Sequence, residues 1–175
     1  MNRRSFIEII TALILVLCGS VMVILPLFNV FNIKAVFISI MVIYGLIHFI
    51  KSFAIILSKD YSGFLTAIAS IVVLLIMLFL DINDSPWNLA LILFIWIILM
   101  SLIKLKESDY YHDKENKLWK LNILNLLLFI LSGILTAINL YYPSDIQILV
   151  LGFFFLINGI LELMDPLVAF IIEKK

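Results

Sequence analysis

The sequence predicts an all-α protein: an integral membrane bundle of six transmembrane helices, arranged as three hairpins in one domain over residues 1–175. Three observations predict it. The chain is 65% hydrophobic and 14% charged, with a mean hydropathy of +1.22. A water-soluble domain is roughly half apolar and a quarter charged, so lipid is the solvent that suits this composition. Six apolar stretches, about 7–28, 33–57, 64–80, 87–103, 121–140 and 146–164, are each long enough, or nearly so, to cross a hydrocarbon core of about 30 Å. Runs such as SIVVLLIMLFL lack the alternation of barrel strands, and a helix satisfies every backbone N–H and C=O within one segment.

Each element can be justified in order. The first helix follows Arg3 and Arg4 and carries Glu8 in its expected first turn, where the helix dipole favours an acid. It also holds the single cysteine, Cys18, so no intrachain disulfide forms. LVLCGS has the outline of a lipoprotein cleavage box. Bulky Leu17 precedes the cysteine, however, and apolar sequence continues past it, so Cys18 reads as a buried thiol. PLFNVFN, with Pro26, turns the chain into the second helix, and SKDYSG leads to the third. DINDSP leads to the fourth, with Ser85 as a candidate cap and Pro86 at the first helical position. KLKESDYYHDKENKLWK, residues 104–120, is the one long loop, and the flanking helices extend into it. His112 lies there among acids as a solvated residue. The fifth helix places Asn125, Ser132, Thr136 and Asn139 on one face; such residues hydrogen-bond between packed membrane helices at about 0.6 kcal/mol each. YYPSD, with Ser144 or Asp145 as a cap, opens the sixth helix, which closes on NGILELMDP.

Lysine and arginine placement orients the bundle. Arg3, Arg4, Lys51, Lys59, Lys104, Lys106, Lys114, Lys117, Lys120, Lys174 and Lys175 all fall on one side of six spans, leaving Lys34 alone on the other. The expectation is a multi-pass protein of the cytoplasmic membrane with both termini and the 104–120 loop in the cytoplasm. Asp81, Asp84 and Asp145 then face outward. Trp119, Tyr110 and Tyr111 at one interface, and Trp87, Tyr141 and Tyr142 at the other, suit an aromatic belt.

A repeat underlies the hairpins. Gly19 and Gly45 are 26 residues apart, as are Gly133 and Gly159. A shift of 114 residues lays LCGSVMVI on LSGILTAI and IYGLIHFIK on INGILELMD. Tyr44 then meets Asn158, His48 meets Glu162 and Lys51 meets Asp165. The middle hairpin follows loosely at a shift near 51, with Ser70 for the first glycine and Trp96, Leu99 and Leu102 for the later positions. Gly19, Gly45, Gly133 and Gly159 read as close helix contacts. Together with Pro26, Gly152 and the NGILEL stretch, this pattern resembles the HdeD-like family of small bacterial and archaeal membrane proteins, over about residues 10–172. The resemblance implies three helical hairpins in the cytoplasmic membrane and a part in acid-stress resistance, with no catalytic residues to carry over.

The remaining question is why so apolar a chain places Glu162 and Asp165 at its end. Roughly twenty residues from Ile146 span the hydrocarbon, which puts Asp165 and Lys51 at its boundary and Glu162 and His48 one turn inside. One reading makes them interfacial charges that set orientation. The sharper reading is a polar cluster between the second and sixth helices, pairing His48 with Glu162, directly or through water, and Lys51 with Asp165. A carboxylate turned inward avoids the cost, roughly 3 kcal/mol at mid-bilayer, of facing lipid tails. No zinc-protease, nucleophile-elbow or phosphate-loop motif and no Cys/His metal spacing occurs, so neither enzyme nor cofactor is expected. The required partner is the lipid bilayer. A homo-oligomer stays open, and zero formal net charge gives no pull on nucleic acid. The expected function is non-enzymatic, in acid or membrane stress tolerance; the alternative is a small transporter or channel with a polar path between the second, fifth and sixth helices.

Overall fold

The computed structural model describes residues 3–24, 33–55, 61–80, 85–113, 118–141 and 147–173. They form six helices: α1 (Arg3–Ile24), α2 (Ile33–Ile55), α3 (Ser62–Phe79), α4 (Pro86–Asp113), α5 (Leu118–Tyr141) and α6 (Gln147–Glu173). No strand occurs among the described residues. All six helices are long and apolar enough to cross a membrane, and their outer faces are strongly apolar. Leu17, Ile50, Leu78 and Phe79 are among many large hydrophobic side chains more than half exposed. Water does not tolerate a continuous apolar surface of this kind, and lipid requires one. The chain therefore reads as a multi-pass membrane protein.

Two ends differ from the sequence expectation. α4 does not stop near residue 103 but continues to Asp113, and α5 opens at Leu118, so most of the 104–120 loop is helical. The segment is polar but contains neither glycine nor proline, and mixed Lys and Glu side chains are good helix formers. Ser108 Oγ donates to the Trp119 carbonyl at 3.3 Å, tying the two helices together where they meet. α6 runs through Pro166 to Glu173, because a proline removes one backbone donor without always ending the helix. Since α1 begins at Arg3, Glu8 stands beyond its first turn, and the dipole explanation for that acid fails. The start of α4 is as expected: Pro86 is the first helical residue, Ser85 Oγ accepts from the Trp87 N–H at 3.2 Å, and the Ser85 carbonyl accepts from the Asn88 N–H. Pro26, Lys59, Asp81, Asp84, Lys114, Lys117, Tyr142, Ser144, Asp145, Lys174 and Lys175 lie outside the described residues.

The helices close into a ring in chain order, with α1 returning to α6. Contact is broadest between α2 and α3, α4 and α5, and α6 and α1, and narrower between α1 and α2, α3 and α4, and α5 and α6. Small residues explain the difference. A Cβ added to Gly19 would come within 2.8 Å of the Gly152 carbonyl oxygen, and one added to Gly159 would stand 2.7 Å from the Val16 backbone nitrogen. With Ala12 and Gly152 on the same seam, α1 and α6 pack backbone to backbone, as small residues permit in membranes. Gly45 faces Ser70 across α2 and α3, and Gly133 faces Ile97 across α5 and α4. All four glycines singled out in the sequence are thus contact points between neighbouring helices.

Rings fill the centre. Trp96 of α4 is fully buried, with ring centroids of Tyr44, Phe129, Phe154 and Phe155 within 6.0 Å of its own. Phe37 joins through Phe155. At one end Trp87 and Tyr141 meet edge to face at 5.2 Å, and at the other His112 and Trp119 do so at 5.0 Å. Cys18 is a free, half-buried thiol beside the core.

Candidate functional site: a buried ionisable cluster at one end

The helix ends near residues 3, 55, 62, 113, 118 and 173 share one end of the bundle, the lysine-rich one. Here α2 brings Tyr44, His48 and Lys51 inward on one face, a spacing of four and three residues that repeats each helical turn. All three are buried. α6 brings Glu162, α4 brings Lys104 and Glu107, and α1 brings Glu8 to the same cavity. Gly63 lets the start of α3 close on α2: a Cβ there would stand 3.1 Å from the His48 carbonyl oxygen. That approach places the Ser62 and Thr66 hydroxyls on the cavity wall.

Glu162 faces inward, as the cluster reading expects, but its partners differ from those expected. Tyr44 donates its hydroxyl to Glu162 Oε1 at 2.9 Å, and Lys104 Nζ lies 3.4 Å from the same oxygen. The ammonium of Lys104 also stands 5.4 Å from the centre of the Phe129 ring, an arrangement that favours a cation. No hydrogen bond joins His48 to Glu162. Both ring nitrogens of His48 are buried without a protein partner, while its ring stacks obliquely on Tyr44 with centroids 4.3 Å apart. Lys51 pairs with Glu8 at 3.4 Å; the side chain of Asp165 lies outside what is described, so the Lys51 to Asp165 pair is not among the geometry seen. Lys51 is 8% exposed and turned inward. Opposed charges drawn together out of water offset part of each other's desolvation, which is why such groups come in pairs.

Of the expected cluster, the structure brings His48, Lys51 and Glu162 to one cavity. Tyr44, Glu8 and Lys104 were missed as members. Tyr44 carried a signal, since it precedes His48 by one turn on the same face. Lys104 carried none as long as α4 was taken to end at residue 103.

The fifth-helix stripe is corrected in part. Only Asn125 bridges helices, donating Nδ2 to the Leu161 carbonyl at 3.3 Å. Ser132, Thr136 and Asn139 each donate to a carbonyl of their own helix, and Asn139 is exposed. Deeper than Glu162 by one turn, Asn158 is fully buried and neither of its amide atoms meets a protein partner. No group of three or more metal-ligating side chains occurs among the described residues. Comparison with family models, with curated proteins and with solved structures finds no match to this chain.

Proposed function

We propose that this chain is a non-enzymatic protein of the cytoplasmic membrane, similar to the HdeD-like family, that serves tolerance of acid or membrane stress. In this reading its three hairpins are repeats and both termini are cytoplasmic, so the ionisable cluster opens toward the cytoplasm. The observation that carries it is the division of the bundle by depth. Ionisable residues gather at the lysine-rich end, and above them Trp96, Phe129, Phe154 and Phe155 fill the centre. A solute path needs polar groups through the full thickness, and the aromatic centre speaks against one. Small residues at matching places support the repeat: Gly19, Ser70 and Gly133, on the first helix of each hairpin, each touch the second helix of another hairpin. The eleven-to-one distribution of basic residues supports the orientation.

The test is survival of acid challenge in bacteria expressing the protein. Wild type is expected to raise survival above that of cells without it, and Glu162→Gln and Lys104→Met, present in the membrane at equal amount, to lose the gain. Equal survival with and without the wild-type protein would overturn the stress reading.

A further inference from the structure

His48 is the one ionisable group among the buried polar side chains that the described residues leave unpaired, beside the amide of Asn158 and the indole N–H of Trp96. It is 6% exposed, and neither ring nitrogen finds a protein partner. Leaving a buried polar group unpaired is costly, so such groups in native proteins point to water, an ion or a function. The ring lines a cavity of about 60 Å³. One water needs about 10–15 Å³ of such space, and an apolar cavity of about 150 Å³ takes benzene. The volume therefore suits a few waters or a small ion and excludes an organic solute.

Charge decides between these. α1 contributes Glu8 to the wall, α2 contributes Lys51 and the Tyr44 phenol, and α6 contributes Glu162. α4 adds Lys104, Glu107 and the Tyr111 phenol, whereas α3 offers only hydroxyls. Three carboxylates against two ammonium groups leave a formal charge of −1 while His48 is neutral, and zero once it carries a proton. A metal cation would also balance the wall, but it would need several oxygens free of the two ammonium groups, and no three-ligand group occurs among the described residues. A proton needs one lone pair, and neutral imidazole has one.

We propose that this cavity is a proton-binding site, in which His48 accepts a proton carried in by water from the lysine-rich end and Glu162 is the carboxylate that answers to its charge. In the step a hydronium O–H bond breaks and a ring N–H bond forms, leaving water and imidazolium. The Tyr44 ring holds the imidazole in place, and the Tyr44 hydroxyl is held on Glu162, so the two ends of the site share one rigid contact. The aromatic centre lies beyond Tyr44, which makes the site one-ended: the proton leaves by the way it came. The inference concerns the same site as the proposed function but depends on neither its orientation nor its role in stress.

The chain has two histidines, which makes the test direct. Full-length protein with nitrogen-15 histidine is titrated in detergent by NMR from mildly alkaline to mildly acidic pH. His48→Gln assigns the signals, or His112→Gln if the first variant does not fold, and exposed His112 is the internal control. The expected result is that both His48 nitrogens pass to the imidazolium pattern while the protein stays folded, and that Glu162→Gln moves the midpoint by about half a pH unit or more. Signals of His48 that stay in one neutral form across the whole pH range would overturn the proposal. So would His48 signals that respond to sodium, potassium or ammonium at constant pH and ionic strength, which would assign the cavity to a bound cation. A midpoint unmoved by Glu162→Gln would remove Glu162 from the site. Because the measurement is made without a membrane gradient or a cell, its failure and that of the acid-challenge experiment are distinguishable.

Discussion

At Glu162 a phenol and an ammonium converge on one carboxylate oxygen, and the energetic consequence is asymmetric. Removing one donor leaves the carboxylate its other partner, whereas removing the carboxylate strands both donors in a poorly hydrated site. Tyr44→Phe is therefore expected to cost about 1–2 kcal/mol of folding stability in detergent. Glu162→Leu is expected to cost more, about 2–3 kcal/mol, because a partly buried, unpaired ammonium remains. In the Glu162→Leu, Lys104→Met double variant the losses should fall short of the sum by about 1 kcal/mol. Denaturation of the wild type, Tyr44→Phe, Glu162→Leu, Lys104→Met and the double variant checks this, and strict additivity of the last three would mean that the 3.4 Å approach contributes nothing. The sequence marked His48, Lys51 and Glu162 because an ionisable side chain in an apolar helix is conspicuous. It did not mark Lys104, which a fourth helix ending at residue 103 would leave in a hydrated loop, or Glu8, which a first-turn position would have explained. Which polar group meets which is set by how helices rotate and slide against one another, and one chain's spacing does not encode that.

At the scale of the helix, the six elements were legible because apolar length and the absence of alternation survive any packing arrangement. Helix ends were less so. Mixed charge at residues 104–113 suggested a loop, yet nothing there breaks a helix, and Pro166 looked like a stop although α6 passes through it. The glycines separate by what they touch. Gly19 and Gly159 abut backbone atoms of the opposing helix, which cannot move aside, whereas Gly133 faces the flexible end of Ile97, with the hypothetical Cβ at 2.6 Å from its Cδ1. Gly19→Ala and Gly159→Ala should force α1 away from α6 and cost about 1–3 kcal/mol or more. Gly133→Ala should cost visibly less, since Ile97 can change rotamer. Thermal unfolding of the three variants in one detergent checks the order, and an equal or larger loss at Gly133 would refute the backbone-contact view of the α1–α6 seam. The serine, threonine and asparagine side chains of α5 were misread for a related reason. A hydroxyl in an apolar helix can return to the carbonyl one turn back, and three of the four polar residues satisfy themselves within their own helix.

At the scale of the whole molecule the bundle is two unequal compartments: a small ionisable cavity at the lysine-rich end and, beyond it, a tightly packed centre of rings and aliphatic side chains with the Asn158 amide buried among them. The central claim is that water reaches the first from one side only and never reaches the second. Accessibility of single cysteines in a Cys18-free protein measures this directly. Thr66→Cys and Met100→Cys place a thiol on the cavity wall, Met41→Cys and Leu93→Cys place one in the fully buried centre, and Asp113→Cys reports which side of the membrane the lysine-rich end occupies. A small charged thiol reagent is applied to sealed membrane vesicles of either orientation. The expected result is that Thr66→Cys and Met100→Cys react only from the side where Asp113→Cys reacts, and that the two central thiols react from neither. Reaction at Met41→Cys or Leu93→Cys, or labelling of the cavity thiols from the opposite side, would reveal a continuous aqueous path and contradict the one-ended bundle.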